Sequence, residues 1–202
     1  MIKIISIDFQ KDFTLEGGCN YKTHRPSVDF VKNTLVPFLR KHKIKIYEIV
    51  SDYRQPRPGD RGDSCHPGEL GFESDISDDV KDKKVWIKCM NSPLWMRKNI
   101  GVSNKKAGLP YQDTKAFEKW LLTNIGKPQD NKEIILIGLT ADCCVLSTAQ
   151  ELTWRGYKVK ILEEATDVYK GSLEDKKAAL KLMESNRWAE VITWKEFKNR
   201  FN

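Results

Sequence analysis

The chain has 202 residues, of which 31% are charged, with a formal net charge of +7. That length suits one α/β domain with a full core, taken here as 1–202. No apolar run exceeds strand length, which argues against a membrane span, and lysines interleaved with acids, as in Lys81-Asp82-Lys83-Lys84, read as a solvated surface rather than a nucleic-acid groove.

The start, Met1-Ile2-Lys3-Ile4-Ile5-Ser6-Ile7-Asp8, reads as a first strand over Ile2–Ile7 rather than a signal peptide, so the cytoplasm is the expected compartment. Ser27 is expected to cap a helix running to about Lys43, with Phe30, Val31, Leu35, Phe38 and Leu39 on one face. A second strand follows at Lys45–Val50. From Asp52 to about Asp79 the chain is rich in Gly, Pro and Arg, longer than most connections and therefore a functional candidate. Val85–Ile87 reads as a third strand, and a second loop passes Ser92-Pro93-Leu94-Trp95 to Gln112. Asp113 starts a helix carrying Phe117, Trp120, Leu121 and Leu122. Glu133–Ile137 is a fourth strand, Cys144–Arg155 a helix closed by Gly156, Lys158–Leu162 a fifth strand, Leu173–Ser185 a helix, and Glu190–Ile192 a last short strand before a C-terminal helix.

Alternating strands and helices imply a parallel sheet covered on both faces. In such sheets ligands bind beyond the carboxyl ends of the strands. Asp8, Asp52, Lys88 and the segment Thr140–Cys144 all fall there. Cys144 lies where an apolar strand passes into a helix, and the positive end of a helix dipole lowers a thiol pKa. A cysteine nucleophile needs a base, oxyanion donors and a proton for the leaving group. Asp8, the helix-start N–H groups and Lys88 supply those types, whereas His24, His42 and His66 are not at strand ends, which weakens a Cys–His protease reading. Taken singly, each residue has an ordinary explanation: buried thiols at Cys143 and Cys144, a turn cap at Asp8, a surface amine at Lys88. Spacing alone leaves both readings open. Five cysteines without a CxxC pattern point to reduced thiols.

The motifs nevertheless resemble a family. Ile7-Asp8-Phe9-Gln10-Lys11-Asp12-Phe13, Lys88 with Ser92, the segment from Cys65 to Gly71-Phe72-Glu73, Gly138-Leu139-Thr140-Ala141-Asp142-Cys143-Cys144-Val145 with Thr148-Ala149, and Gly156-Tyr157-Lys158-Val159 with Glu164-Ala165-Thr166 resemble, in order and across most of the chain, the isochorismatase-like cysteine hydrolases. The resemblance implies a three-layer α-β-α fold around a six-stranded, mostly parallel, Rossmann-like sheet. It implies a triad of Asp8 as base, Lys88, and Cys144 as nucleophile, chosen over Cys143 because it precedes the valine. It also implies a cis peptide at Leu139–Thr140, which would turn the Thr140 and Cys144 amides toward an oxyanion.

Family members that keep this cysteine hydrolyse C–N bonds through a thioester, so a small amide or N-carbamoyl (ureido) substrate is expected. Nicotinamidases of the family hold a metal through an Asp-x-His and a second histidine before a cysteine. Here Asp52 is followed by Arg54, and Ser64 precedes Cys65, so no metal and no other cofactor is expected. Arg54, with Arg57 or Arg61, is the expected anchor for a substrate carboxylate or carbonyl, and Trp95 an expected pocket wall. A nicotinamidase is the alternative function, and a non-catalytic member with a basic binding surface the less favoured one. A small-molecule substrate and a homo-oligomer are the expected partners, with no nucleic acid and no membrane.

Overall fold

The computed structural model describes residues 2–130 and 133–201. Its centre is a six-stranded, all-parallel sheet built from β1 (Ile2–Ile7), β2 (Ile46–Ser51), β3 (Trp86–Lys88), β6 (Glu133–Leu139), β7 (Lys158–Asp167) and β8 (Glu190–Ile192), in the order β3-β2-β1-β6-β7-β8. β4 (Trp95–Arg97) and β5 (Pro110–Gln112) form a separate antiparallel ribbon. Ile4, Ile5 and Ile7 of β1 and Ile134 to Ile137 of β6 are fully buried. Successive strand residues face opposite sides, so burial of adjacent ones requires cover on both faces, and this is why these strands read as continuous apolar runs.

The helices supply that cover. From β1 the chain moves outward through α1 (Lys11–Thr14), α2 (Pro26–Phe30), a π-helical turn (Val31–Leu35) and α3 (Val36–Lys41) to β2. From β6 it moves the opposite way through α5 (Cys144–Trp154) to β7 and α6 (Leu173–Ser185) to β8. Right-handed crossovers in opposite directions place helices on opposite faces. The side-chain packing agrees. Phe30 and Phe38 meet Trp194 of α7 (Trp194–Lys198), while Arg155 at the end of α5 lies over Phe117 of α4 (Thr114–Asn124).

Several boundaries differ from the sequence reading for identifiable reasons. α2 begins at Pro26, and Ser27 is inside it rather than capping it. Its first turn is capped from outside, where the Asp167 carboxylate accepts the Ser27 N–H at 2.9 Å. β7 runs five residues beyond Leu162, because β6 and β7 shift register between Leu136 and Gly138 and pair again at Gly138–Thr166. Gly138 has φ +109, and a Cβ there would lie 2.1 Å from the Ile7 carbonyl oxygen. Asp113 caps α4 as expected, accepting the Ala116 N–H at 2.9 Å. Among the described residues no helix is long and apolar enough to cross a membrane.

The strand order reverses direction between β1 and β6, so a crevice opens beyond their carboxyl ends. Asp8 leaves β1 there and Cys144 follows β6.

Candidate active site

Asp8 follows β1 with φ +46 and is fully buried, its N–H donating to Ile49 at 2.9 Å. Lys88 ends β3, also fully buried. Its ammonium donates to Asp8 Oδ2 at 2.8 Å, Ser51 Oγ at 2.7 Å and Tyr53 Oη at 2.8 Å, and stands 3.4 Å from Cys144 Sγ. Ser51 Oγ donates to Asp8 Oδ1 at 2.8 Å. Cys144, the first residue of α5, has Tyr53 Oη at 3.0 Å and Asn91 Oδ1 at 3.8 Å from its sulfur. The structure thus brings Asp8, Lys88 and Cys144 into one buried cluster. Among the described hydrogen bonds, Asp8 reaches the sulfur only through Lys88.

The charges follow from these contacts. Burial pulls the Lys88 ammonium down, but Asp8 and Cys144 outweigh it and the net shift is upward, so Lys88 stays protonated. Tyr53 is held well above its usual range, by burial first and then by Cys144 and Asp8, and stays an O–H. The Cys144 thiol is also raised, by its contact with Cys143 and by burial, with Lys88 opposing. The sequence-based expectation was the reverse. The helix start is where it was placed, but a dipole effect worth about 0.3–1 kcal/mol at exposed sites is outweighed by the Cys143 contact and full burial.

The peptide Leu139–Thr140 is cis, as the motif implied. Thr140 O accepts from Cys143 N–H and Val145 N–H, and Ala141 N–H donates to Asp167 O. Among the described residues, the Thr140 and Cys144 N–H groups have no protein acceptor, which leaves both free to receive an oxyanion. A cavity of about 500 Å³ opens over Cys144. Tyr53, Asn91 and Thr140 line it near the thiol, Phe13 and Tyr169 give it aromatic walls, and Arg57 and Arg61 lie at its side.

Gln10 explains why an amide belongs in the opening motif. Its side chain accepts the Ser51 N–H at 2.7 Å and donates to Ser51 O at 3.0 Å, fixing the strand end that carries Ser51 Oγ. Asp12 works similarly on the long loop, accepting the N–H groups of Cys19 at 3.1 Å and Cys65 at 2.5 Å. Gly71 has no room for a side chain, since a Cβ would sit 2.2 Å from Asp12 Oδ1.

Two expected substrate contacts lie elsewhere. Arg54 and Trp95 are not among the residues lining this cavity. Arg54 grips Asp52 with Nε at 2.8 Å and Nη2 at 2.7 Å, and its remaining N–H groups donate to the carbonyls of Asn99, Val102 and Lys105. All five guanidinium donors are therefore used within the chain. Trp95 belongs to the β4–β5 ribbon, paired with Gln112.

Residues 112–196 match the isochorismatase domain model. The whole chain superposes on nicotinamidase/pyrazinamidase from Bacillus subtilis at TM-score 0.65 and 18% identity, covering 94% of this chain and 98% of that one. The pyrazinamidase of Pyrococcus horikoshii, solved in complex with zinc, gives 0.64 at 20%, covering 96% and 99%. N-carbamoylsarcosine amidase from Thermoplasma acidophilum gives 0.57 at 16%, covering 95% of each. By fold, the chain is similar to the isochorismatase-like hydrolases. Comparison with curated proteins by sequence gives no match. The resemblance read from the motifs is borne out for the fold, and the family model supports it over residues 112–196. The matched segment contains Cys144, whereas Asp8 and Lys88 precede it.

The zinc in one relative raises the question of a metal here. Among the described residues no group of three or more His, Cys, Asp or Glu side chains could hold one. Asp52 is fully buried and already neutralised bidentately by Arg54. Ser64 Oγ accepts from Asn20, and His66 faces Asp63 and Glu69 at the surface. These residues do not fit a resident divalent cation, which wants several convergent donors.

Sequence reasoning missed Ser51, Tyr53, Asn91 and Arg25. Arg25 is buried and donates to the carbonyls of Phe13, Asn20, Val168 and Tyr169, tying two loops together behind the cavity. The missed signal for Ser51 and Tyr53 was position: both flank Asp52 at the end of β2, where the carboxyl-end rule directs attention.

Proposed function

We propose that this protein is a cysteine amidohydrolase that cleaves the C–N bond of a small amide or N-carbamoyl compound, with Cys144 as nucleophile. The observation that carries the reading is the buried Lys88 ammonium, 2.8 Å from Asp8 and 3.4 Å from the sulfur of Cys144, which lines the cavity. In this reading the thiol proton passes through Lys88. The ammonium hands a proton to Asp8 as it takes one from the thiol, leaving a thiolate, a protonated Asp8 and an unchanged Lys88. The sulfur attacks the carbonyl carbon, and the N–H groups of Thr140 and Cys144 receive the developing oxyanion. Asp8 returns the proton to the departing nitrogen, and ammonia or an amine leaves behind a thioester. Water then hydrolyses the thioester, giving its proton to the Asp8 carboxylate, which returns it through Lys88 to the sulfur. No step uses a metal.

Arg61 takes over the anchoring role first expected of Arg54. It lines the cavity, and among the described residues its guanidinium has no partner. A substrate carboxylate suits it, which favours a ureido acid. The aromatic lining of Phe13, Tyr53 and Tyr169 favours the second reading, a flat heteroaromatic amide such as nicotinamide. Ammonia release across N-carbamoyl amino acids, simple amides and nicotinamide, measured beside Cys144→Ala, tests both. Turnover lost in the variant supports the thiol reaction and the best substrate chooses between the readings. Turnover on none of them contradicts the simple-amidase reading.

A further inference from the structure

Lys88 has three N–H donors and four acceptors within reach: Ser51 Oγ at 2.7 Å, Asp8 Oδ2 and Tyr53 Oη at 2.8 Å, and Cys144 Sγ at 3.4 Å. Once the thiol proton has passed to Asp8, the three oxygens, as the shorter contacts, take the three ammonium protons. Ser51 Oγ, having accepted one, directs its own proton to Asp8 Oδ1. Tyr53 Oη, having accepted another, has its own proton to place. Its candidates are Cys144 Sγ at 3.0 Å and Asn91 Oδ1 at 3.4 Å. The sulfur is nearer, and when it carries a negative charge it is also the stronger acceptor.

We infer that Tyr53 is a further catalytic residue, whose phenol O–H donates to Cys144 Sγ and stabilises the thiolate directly while Lys88 acts mainly by charge. The inference rests on Cys144 being the reactive thiol of the proposed reaction. Tyr53 is built for a fixed position. The Arg57 guanidinium carbon stands 3.8 Å over its ring centroid, and Arg57 is itself held by Cys89 O at 3.1 Å and Asp60 at 2.5 Å. The groups facing the sulfur are then Lys88, Tyr53, Cys143 and Asn91, with Asp8 behind Lys88. Burial keeps the phenol protonated, so the donor persists across the working range.

The test needs no substrate. Iodoacetamide alkylation at Cys144 is followed at about pH 8, with the site assigned by peptide fragmentation and the exposed Cys19 as internal standard. Below the thiol pKa the rate tracks the thiolate fraction. A hydrogen bond to a charged group has the strength to make Tyr53→Phe slow alkylation at Cys144 about 10- to 100-fold, with Cys19 unchanged. Removing the hydroxyl also opens the approach to the sulfur, so a purely steric effect has the opposite sign. If Tyr53→Phe folds poorly by circular dichroism, 3-fluorotyrosine in place of Tyr53, a more acidic donor, should instead speed the reaction severalfold. An unchanged or faster rate in Tyr53→Phe, or an unchanged or slower one with the fluorinated residue, overturns the inference. Failure of the amidase reading shows separately, as ammonia release that is absent or survives Cys144→Ala.

Discussion

Replacing Lys88 with methionine probes the centre of the cluster. The substitution keeps much of the side-chain volume but removes an ammonium that is fully buried against a fully buried carboxylate at 2.8 Å. Asp8 is fully buried and would keep one side-chain donor, Ser51 Oγ. Breaking a buried pair by removing one partner costs about 3–5 kcal/mol. At about 2–4 °C per kcal/mol for a chain of this size, the melting temperature should fall by about 6–20 °C. The double variant Asp8→Asn/Lys88→Met removes the stranded charge and should regain part of that loss, giving a coupling of about 1–3 kcal/mol in a double-mutant cycle. Urea titration of the four proteins, with the slope checked for constancy, measures it. A Lys88→Met protein within 2 °C of wild type, or single and double variants that simply add, would refute the claim that the two charges form a coupled buried pair.

Further outcomes follow from other contacts. Arg54→Ala leaves the buried Asp52 carboxylate without its bidentate partner and releases the carbonyls of Asn99, Val102 and Lys105. It should cost about 3 kcal/mol and loosen the loop so that trypsin cuts faster at the exposed Lys105 and Lys106, and unchanged stability with an unchanged cleavage rate would count against that role. Arg61→Ala should raise KM for carboxylate-bearing substrates about tenfold with kcat nearly constant, the mark of uniform binding, and leave the melting temperature unchanged. A kcat effect alone would contradict the anchor. Because the Cys143 contact and burial hold the Cys144 thiol above its usual value, its alkylation rate in wild type should still climb past about pH 9, and a plateau below about pH 8 would contradict this. Gly138→Ala would drive a methyl to 2.1 Å from the Ile7 carbonyl oxygen at φ +109. Expression of folded Gly138→Ala with an unshifted melt would show that the β1–β6 contact is looser than described.

What could be read from the sequence has a physical pattern. β1 and β6 announce themselves because strands buried on both faces must be apolar throughout. Asp8, Lys88 and Cys144 stand out because each follows or ends a strand of the parallel sheet, where such sheets present their ligands. The Tyr53 hydroxyl did not stand out. Its partners Lys88 and Cys144 lie 35 and 91 residues away in sequence, and a tyrosine beside a strand reads as packing. Arg54 was misplaced as a substrate contact for the same reason: its acceptors at Asn99, Val102 and Lys105 are backbone carbonyls, which carry no sequence signature. Ser27 looks like a cap by residue type, but the cap that operates is Asp167, 140 residues on. The extension of β7 was hidden because Glu163 and Glu164 interrupt the apolar run before Ala165, Thr166 and Asp167 rejoin the sheet. The ribbon of β4 and β5 uses two strands of three residues each, too short for alternation to register.

The central claim is a covalent one: Cys144 carries the acyl group between release of the amine and attack by water. Acid-quenched enzyme, taken during turnover of the best substrate from the ammonia screen, should show the acyl mass on the peptide containing Cys144. Fragmentation should assign it to Cys144 rather than Cys143, and both adduct and ammonia should vanish in Cys144→Ala. Ammonia release that persists in Cys144→Ala, or an adduct that maps to Cys143, would contradict the account.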